Sequence, residues 1–262
     1  MELLNVTKLS KDFGGVKAVS NINVSIEEGQ ITGIIGPNGA GKTTFFNLLT
    51  GIYTPSSGEI TYHLKEDITS KKLKPQKMAK YGVARTFQNI RLFKDMTVFD
   101  NVLIGYHCNL SYGVVPSIFR LPSYFKGEEK AIEKVTELLK IFNLYEKKDD
   151  KAKNLSYGDQ RKVEIARALA SSPNVLLLDE PAAGMNPNET NELTSLIKWV
   201  KDEFKLTVVL IEHDMSLVMK LCDKIFVFDY GNLIAEGSPE SIQNNPVVIK
   251  AYLGGDYVAQ AE

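Results

Sequence analysis

The string Gly36-Pro37-Asn38-Gly39-Ala40-Gly41-Lys42-Thr43-Thr44 constrains this chain more than any other stretch. The apolar run Ile31 to Ile35 precedes it, and a helix-like run, Phe45 to Leu49, follows, with Gly51 placed to end that helix. In the order strand, glycine loop, helix, the spacing G-x-x-x-x-G-K-[ST] describes a loop that cradles phosphates. Glycines let successive N–H groups turn toward one anion. The helix start adds partial positive charge, Lys42 supplies a full charge for β- and γ-phosphates, and the Thr43 hydroxyl can ligate Mg²⁺.

With 262 residues the chain can bury a substantial core. Its net charge of -1 argues against electrostatic capture of nucleic acid. Its apolar runs fall short of the roughly 18 residues a spanning helix needs, so any membrane role is expected through a partner. Met1 to Asn5 does not read as a signal peptide, which makes the cytosol the expected compartment. Cys108 and Cys222 are the two cysteines, without ligand spacing, so neither a disulfide framework nor a zinc site is expected.

Alternation from Glu2 to Ile26 predicts antiparallel strands leading into the loop strand, and Glu59 to Tyr62 a further short strand. The lysines between Lys65 and Lys80 lack interleaved aromatics and read as a solvated face. From Thr97 to Ala170 the helical period dominates, with Thr97 as an N-cap and Ile132, Val135, Leu138 and Leu139 on one helix face. Between Tyr106 and Lys126, prolines and aromatics alternate in a stretch that is either irregular packing or a docking surface. Val175 to Leu178, Thr207 to Ile211 and Ile225 to Phe228 have the β-branched and leucine runs of strands buried on both faces of a parallel sheet. Asn186, Pro187 and Glu189 predict a capped helix start.

Several polar residues converge on phosphate chemistry. Asp179 ends a buried strand, the place from which a second strand holds Mg²⁺ through water, and Glu180 beside it can polarise an attacking water. His213 follows another strand of the same sheet and reads as a γ-phosphate sensor. Gln88 can offer its amide oxygen to Mg²⁺ or to the water. Ser156 and Gly158, in Leu155 to Gln160 ahead of a helix read as Arg161 to Ala170, form either a second anion site or an ordinary N-cap.

These motifs resemble the ATP-binding-cassette ATPases over nearly the whole chain: Walker A at Gly36 to Thr43, the Q-loop at Gln88, the signature at Leu155 to Asp159, Walker B at Val175 to Glu180 and the switch histidine at His213. The resemblance implies one α/β cassette over residues 1–262. Its parts are a mainly parallel core sheet with flanking helices, an antiparallel β subdomain, a helical insertion at about 97–170 and a helical tail at about 238–262. It implies ATP and Mg²⁺ as cofactors, Phe13 stacked on adenine, and Ser156 and Gly158 contacting nucleotide bound to a second cassette, a copy or a paralogue. Arg85 to Asn89, Arg91 to Phe93, Ala182 to Pro187, the Tyr106 to Lys126 insertion and the ending Ala251 to Gly254 are similar to cassettes of high-affinity branched-chain amino acid importers. That branch implies membrane-spanning permeases as partners, a substrate-binding protein indirectly, and a place at the cytoplasmic face of the inner membrane. Cassettes for urea or amides and for lipopolysaccharide export are the neighbouring readings. Soluble cassettes of DNA repair or translation are a more distant one, expected to carry a second cassette, a long heptad insertion or zinc-spaced cysteines. Asp159, Tyr157 and Asn186 depart from the commonest cassette pattern, in the signature and in the loop ahead of Pro187.

Overall fold

Alternating apolar residues along the first two strands bury Leu4, Val6, Val19, Ile22, Val24 and Ile26 on one face. The strands β1 (Glu2–Phe13) and β2 (Val16–Glu27) accordingly pair antiparallel around Gly14 and Gly15. The computed structural model describes residues 1–110 and 112–253, so Gly254 and the end of the tail lie outside the described residues. After β3 (Ile31–Ile35), the glycine loop and α1 (Lys42–Leu49), the chain returns to the first sheet with β4 (Ser57–His63) and β5 (Asp67–Thr69). A short α2 (Pro75–Met78) follows, anchored by buried Met78 while the lysines around it stay exposed.

Next come β6 (Val83–Arg85) and four helices: α3 (Val98–Tyr106), α4 (Val114–Ile118), α5 (Pro122–Ile141) and α6 (Tyr157–Ala170). The remainder alternates: β7 (Val175–Asp179), α7 (Pro187–Phe204), β8 (Thr207–Ile211), α8 (Met215–Leu221), β9 (Lys224–Asp229), β10 (Asn232–Gly237), α9 (Pro239–Gln243) and α10 (Pro246–Leu253). Four strands form an antiparallel sheet in the order β2-β1-β4-β5. Six form the core sheet β10-β9-β3-β8-β7-β6, parallel except for the β9–β10 hairpin. This is the fold class expected from the sequence.

Period-two side-chain direction divides the core. From β7, β8 and β9, Leu176, Leu178, Val208, Leu210, Ile225 and Val227 enter one apolar cluster shared with α6, α7 and α8. Their neighbours Val175, Leu177, Val209, Ile211, Phe226 and Phe228 enter the other, shared with α1 and the antiparallel sheet. Burying each such side chain contributes about 1.5–3 kcal/mol, so the core strands are held from both faces.

Two boundaries and one helix face differ from the sequence reading. Helix α6 begins at Tyr157, not Arg161, because the Ser156 hydroxyl accepts the Asp159 N–H and caps it four residues earlier. Pro122 opens α5 instead of breaking a loop, since a proline at the first helical position has no intrahelical N–H to lose. On α5, Ala131 is buried with Val135, Leu138 and Leu139, whereas Ile132 is 49% exposed, one step off that face. Thr97 and the Asn186–Glu189 capping box sit as expected.

Gly33 stands in β3 where a Cβ would come 2.8 Å from Cys222 Sγ. Burial pushes the Cys222 thiol up to about 12, so it behaves as a small apolar group. Gly33→Ala should therefore destabilise the chain by about 1–3 kcal/mol through overpacking. Adding Cys222→Ala should restore most of that loss in urea unfolding midpoints, and no recovery would place the strain elsewhere.

Candidate functional site

The loop between β3 and α1 is shaped by two close backbone approaches. Gly36 has φ 147°, and a Cβ there would lie 2.0 Å from the Phe228 carbonyl oxygen. Gly41 has φ 97°, and its Cβ would lie 2.3 Å from the Ala18 carbonyl oxygen. Only glycine fits either position. No side chain caps α1, so the N–H groups at its start are available to an anion. The loop lines a cavity of about 410 Å³ with Asn38 to Thr44, Glu180, Tyr230 and the β2 residues Val16, Lys17 and Ala18.

Lys42 is buried at the mouth of this cavity. Its Nζ donates to the Gly36 and Pro37 carbonyls at 2.7 and 2.9 Å, contacts with which incoming phosphate oxygens would compete. Burial lowers its pKa and the Glu180 charge opposes that shift, so the lysine and the carboxylate face each other across the site.

Glu180 follows the last residue of β7 in a left-handed conformation, φ 46°, which few non-glycine residues adopt. Its backbone N–H reaches the Ile211 carbonyl at 3.0 Å. Gln88 Nε2 donates to Glu180 Oε2 at 2.8 Å, and His213 Nδ1 lies 3.6 Å from the same oxygen. Three residues separated by 92 and 33 positions in the chain thus meet at one carboxylate. His213 is carried by a turn that buried Glu212 fixes, accepting the N–H groups of Ala182 at 2.9 Å and His213 at 3.1 Å. Desolvation raises the Glu212 pKa against those bonds, which hold its charged form.

Asp179 lies behind the cavity, outside its lining. Arg85 Nη2 bonds its Oδ2 at 2.7 Å in a buried pair, and Arg85 Nη1 reaches Asn47 Oδ1 at 2.7 Å and Thr50 Oγ1 at 3.1 Å on α1. Oδ1 carries no hydrogen bond among the described residues. Thr43 Oγ1, Asp179 Oδ1 and the Gln88 amide oxygen are hard oxygen donors of the kind Mg²⁺ takes. Among the described residues no cluster of His, Cys, Asp or Glu could cage a metal alone, so the donor set fits an ion that is also held by phosphate and water.

The other expected residues sit apart from this cavity. Phe13, 43% exposed, packs edge-on against Tyr53 with ring centroids 5.1 Å apart and does not line it, although its strand partner Val16 does. Ser156 caps α6, and Gly158 is buried facing Glu189 of α7, with neither at the cavity of the same chain. Arg85, Arg161, Glu212 and Tyr230 were not singled out from the sequence. Arg85 bonds residues 35 to 94 positions away and Arg161 bonds carbonyls 73 and 74 positions away, whereas Glu212 has one local signal, its place beside His213.

Lys42→Ala should weaken nucleotide binding at least tenfold, because the loop loses its full charge while its backbone donors remain. Glu180→Gln should bind nucleotide within about twofold of the parent yet lose about 10²–10⁴ in turnover. Fluorescent-nucleotide titration and phosphate release separate the two, and equal defects in both assays would contradict this division.

Comparison with known proteins agrees with this geometry. The ABC transporter family model matches residues 19–183, and that of the branched-chain amino acid ATP-binding cassette transporter matches residues 232–258. The chain is 46% identical to the high-affinity branched-chain amino acid transport ATP-binding protein LivG of Escherichia coli, over 96% of this chain and 98% of the relative. It is 47% identical to BraF of Pseudomonas aeruginosa, named likewise, over the same shares. Its fold matches the crystal structure of the ADP conformation of MJ1267, an ATP-binding cassette of an ABC transporter. That match has a TM-score of 0.83 and 34% identity over 97% of this chain and 99% of the other. Loop, carboxylates, sheet order and sequence likeness all agree: the chain belongs to the ABC transporter family, as an ATP-binding cassette.

Proposed function

We propose that this cassette hydrolyses ATP with Mg²⁺ to energise uptake of branched-chain amino acids, from the cytoplasmic face of the inner membrane. The observation that carries the chemistry is the convergence of Lys42 and Glu180 on one cavity, with Gln88 and His213 at the same carboxylate. The likeness to LivG and BraF supports the cargo class.

In this reading the backbone N–H groups of the loop and Lys42 bind the phosphates, and the Phe13 ring stacks on adenine. Glu180 accepts the proton of the attacking water, and Gln88 and His213 orient that water against Oε2. Thr43, Asp179 and Gln88 would hold Mg²⁺, which when bound offsets charge on the phosphates. Ser156 and Gly158 serve the nucleotide of a second cassette, a copy or a paralogue, consistent with their distance from this chain's own cavity.

No helix among the described residues is long and apolar enough to cross a membrane, so attachment falls to permease subunits. An apolar groove of 350 Å³ supports one docking place. Ile52, Met78, Phe87, Ile104 and Cys108 line it between the end of α1 and the helices α3 and α6, one residue from Gln88. The insertion extends from this edge. Tyr112 and Tyr124 pack on each other at 5.2 Å and Tyr112 bonds Glu128, whereas Phe119 and Phe125 are 71% and 57% exposed. The exposed pair is therefore the part of the insertion offered to a permease.

Ile104→Asp should leave nucleotide binding intact and abolish co-purification with the permeases, while Phe119→Ser should reduce coupling and Tyr112→Ser should act through stability. In cells lacking other branched-chain uptake, radiolabelled leucine should enter with the parent chain and not with Glu180→Gln. Excess isoleucine or valine should compete, and entry unaffected by Glu180→Gln would refute the transport reading.

A further inference from the structure

Arg161 stands on the signature helix α6, yet none of its surface is exposed. A fully buried arginine needs partners for its charge and its donors, and these partners are not on its own helix alone. Its Nη1 donates to the Phe87 carbonyl at 2.7 Å and to Glu164 Oε2 at 2.8 Å. Its Nη2 donates to the Gln88 carbonyl at 2.8 Å and lies 3.5 Å from both the Glu180 carbonyl and the Tyr157 hydroxyl. Glu164, equally buried, accepts the Arg91 N–H at 3.2 Å. The pair thus fastens α6 to the segment 87–91 at three points and touches the turn that carries Glu180.

We propose that Arg161 is a positioning residue for hydrolysis. It holds the backbone beneath Gln88 and beneath Glu180 so that their side chains meet at the 2.8 Å contact. This rests on the reading of Glu180 as the base. Gln88 is exposed and sits on an irregular segment, and Glu180 occupies a left-handed backbone conformation, so neither is held firmly by its own element. One planar guanidinium spans both, because its donors leave in fixed directions from a rigid fork. A lysine places its donors on one point at the end of a flexible stem, so it lacks the two separate, fixed directions along which the guanidinium reaches these carbonyls. The same fork ties the site to the helix that Ser156 caps, so a shift of α6 moves Gln88 and Glu180 together.

The test uses the full chain with three changes: Arg161→Lys, the double variant Arg161→Met with Glu164→Gln, and Glu180→Gln as reference. The double variant removes both buried charges at once and so avoids leaving Glu164 unpaired, which would threaten folding. Nucleotide-binding stoichiometry counts folded sites, and kcat is expressed per folded site. The expected result is a fall in kcat of about tenfold for Arg161→Lys and about a hundredfold for the double variant, with KM for ATP within about threefold of the parent. A residue that only packs the interior would lower the number of folded sites and leave kcat per site unchanged. Turnover per site within twofold of the parent in the double variant, or KM rising as much as kcat falls, would overturn the proposal. Parental turnover by Glu180→Gln would overturn both the base assignment and the role of Arg161; loss there with retention in the Arg161 variants would overturn the role of Arg161 alone.

Discussion

The glycine loop is wedged between two backbone carbonyls, Phe228 from the core sheet and Ala18 from the antiparallel sheet. These approaches leave no room for a Cβ at Gly36 or Gly41, and they fix the loop at the junction of the two sheets. The rest of the structure depends on that wedge. Because β3 runs between β8 and β9, its C-terminal edge delivers the loop beside the ends of the strands that carry His213 and Tyr230. Ligands of parallel α/β sheets collect at that edge, where the strand ends leave a crevice and the helix starts add positive potential. The cavity is thus a consequence of sheet order as much as of the loop.

Burial sets the electrostatics around it. Burial lowers the Lys42 pKa and the Glu180 charge only partly opposes that shift, so a polyanion at the cavity would meet an under-solvated cation. Behind the cavity, Arg85 neutralises one oxygen of Asp179 and stacks near the rings of Phe46 and Phe87 at 5.5 and 5.0 Å. A buried pair of this sort adds little net stability, but removing one partner is costly. Its place between α1, β6 and β7 makes it a fixed distance between the loop helix and the strand that ends at the carboxylates.

Much of this was legible in the sequence because it is local. The loop string, the Asn186–Glu189 cap, the buried strands and the Asp179-Glu180 pair are each written within ten residues, and their elements form within a residue or two of the expected places. The start of α6 was misread because Tyr157, Gly158 and Asp159 weaken the apolar period, although Ser156 is a strong cap. Pro122 was read as a break where position made it a beginning. Arg85, Arg161 and Tyr230 were invisible, since an arginine in a helical or strand pattern reads as solvated until its distant carbonyl or carboxylate is known. For Phe13 the family resemblance implies a ring over a base, and the structure adds a neighbour, Tyr53, that no spacing could indicate.

Glu180 has a further consequence for how such a chain evolves. Its left-handed backbone suits glycine or asparagine, so the most relaxed sequence at this turn is one without the carboxylate. On the proposed assignment of Glu180 as the base, selection for thermal robustness and selection for turnover pull this position in opposite directions. A cassette that drifts to glycine here would gain backbone comfort and keep its phosphate loop. Lineages in which one of two paired cassettes has become a silent nucleotide holder would therefore find this turn an easy first step.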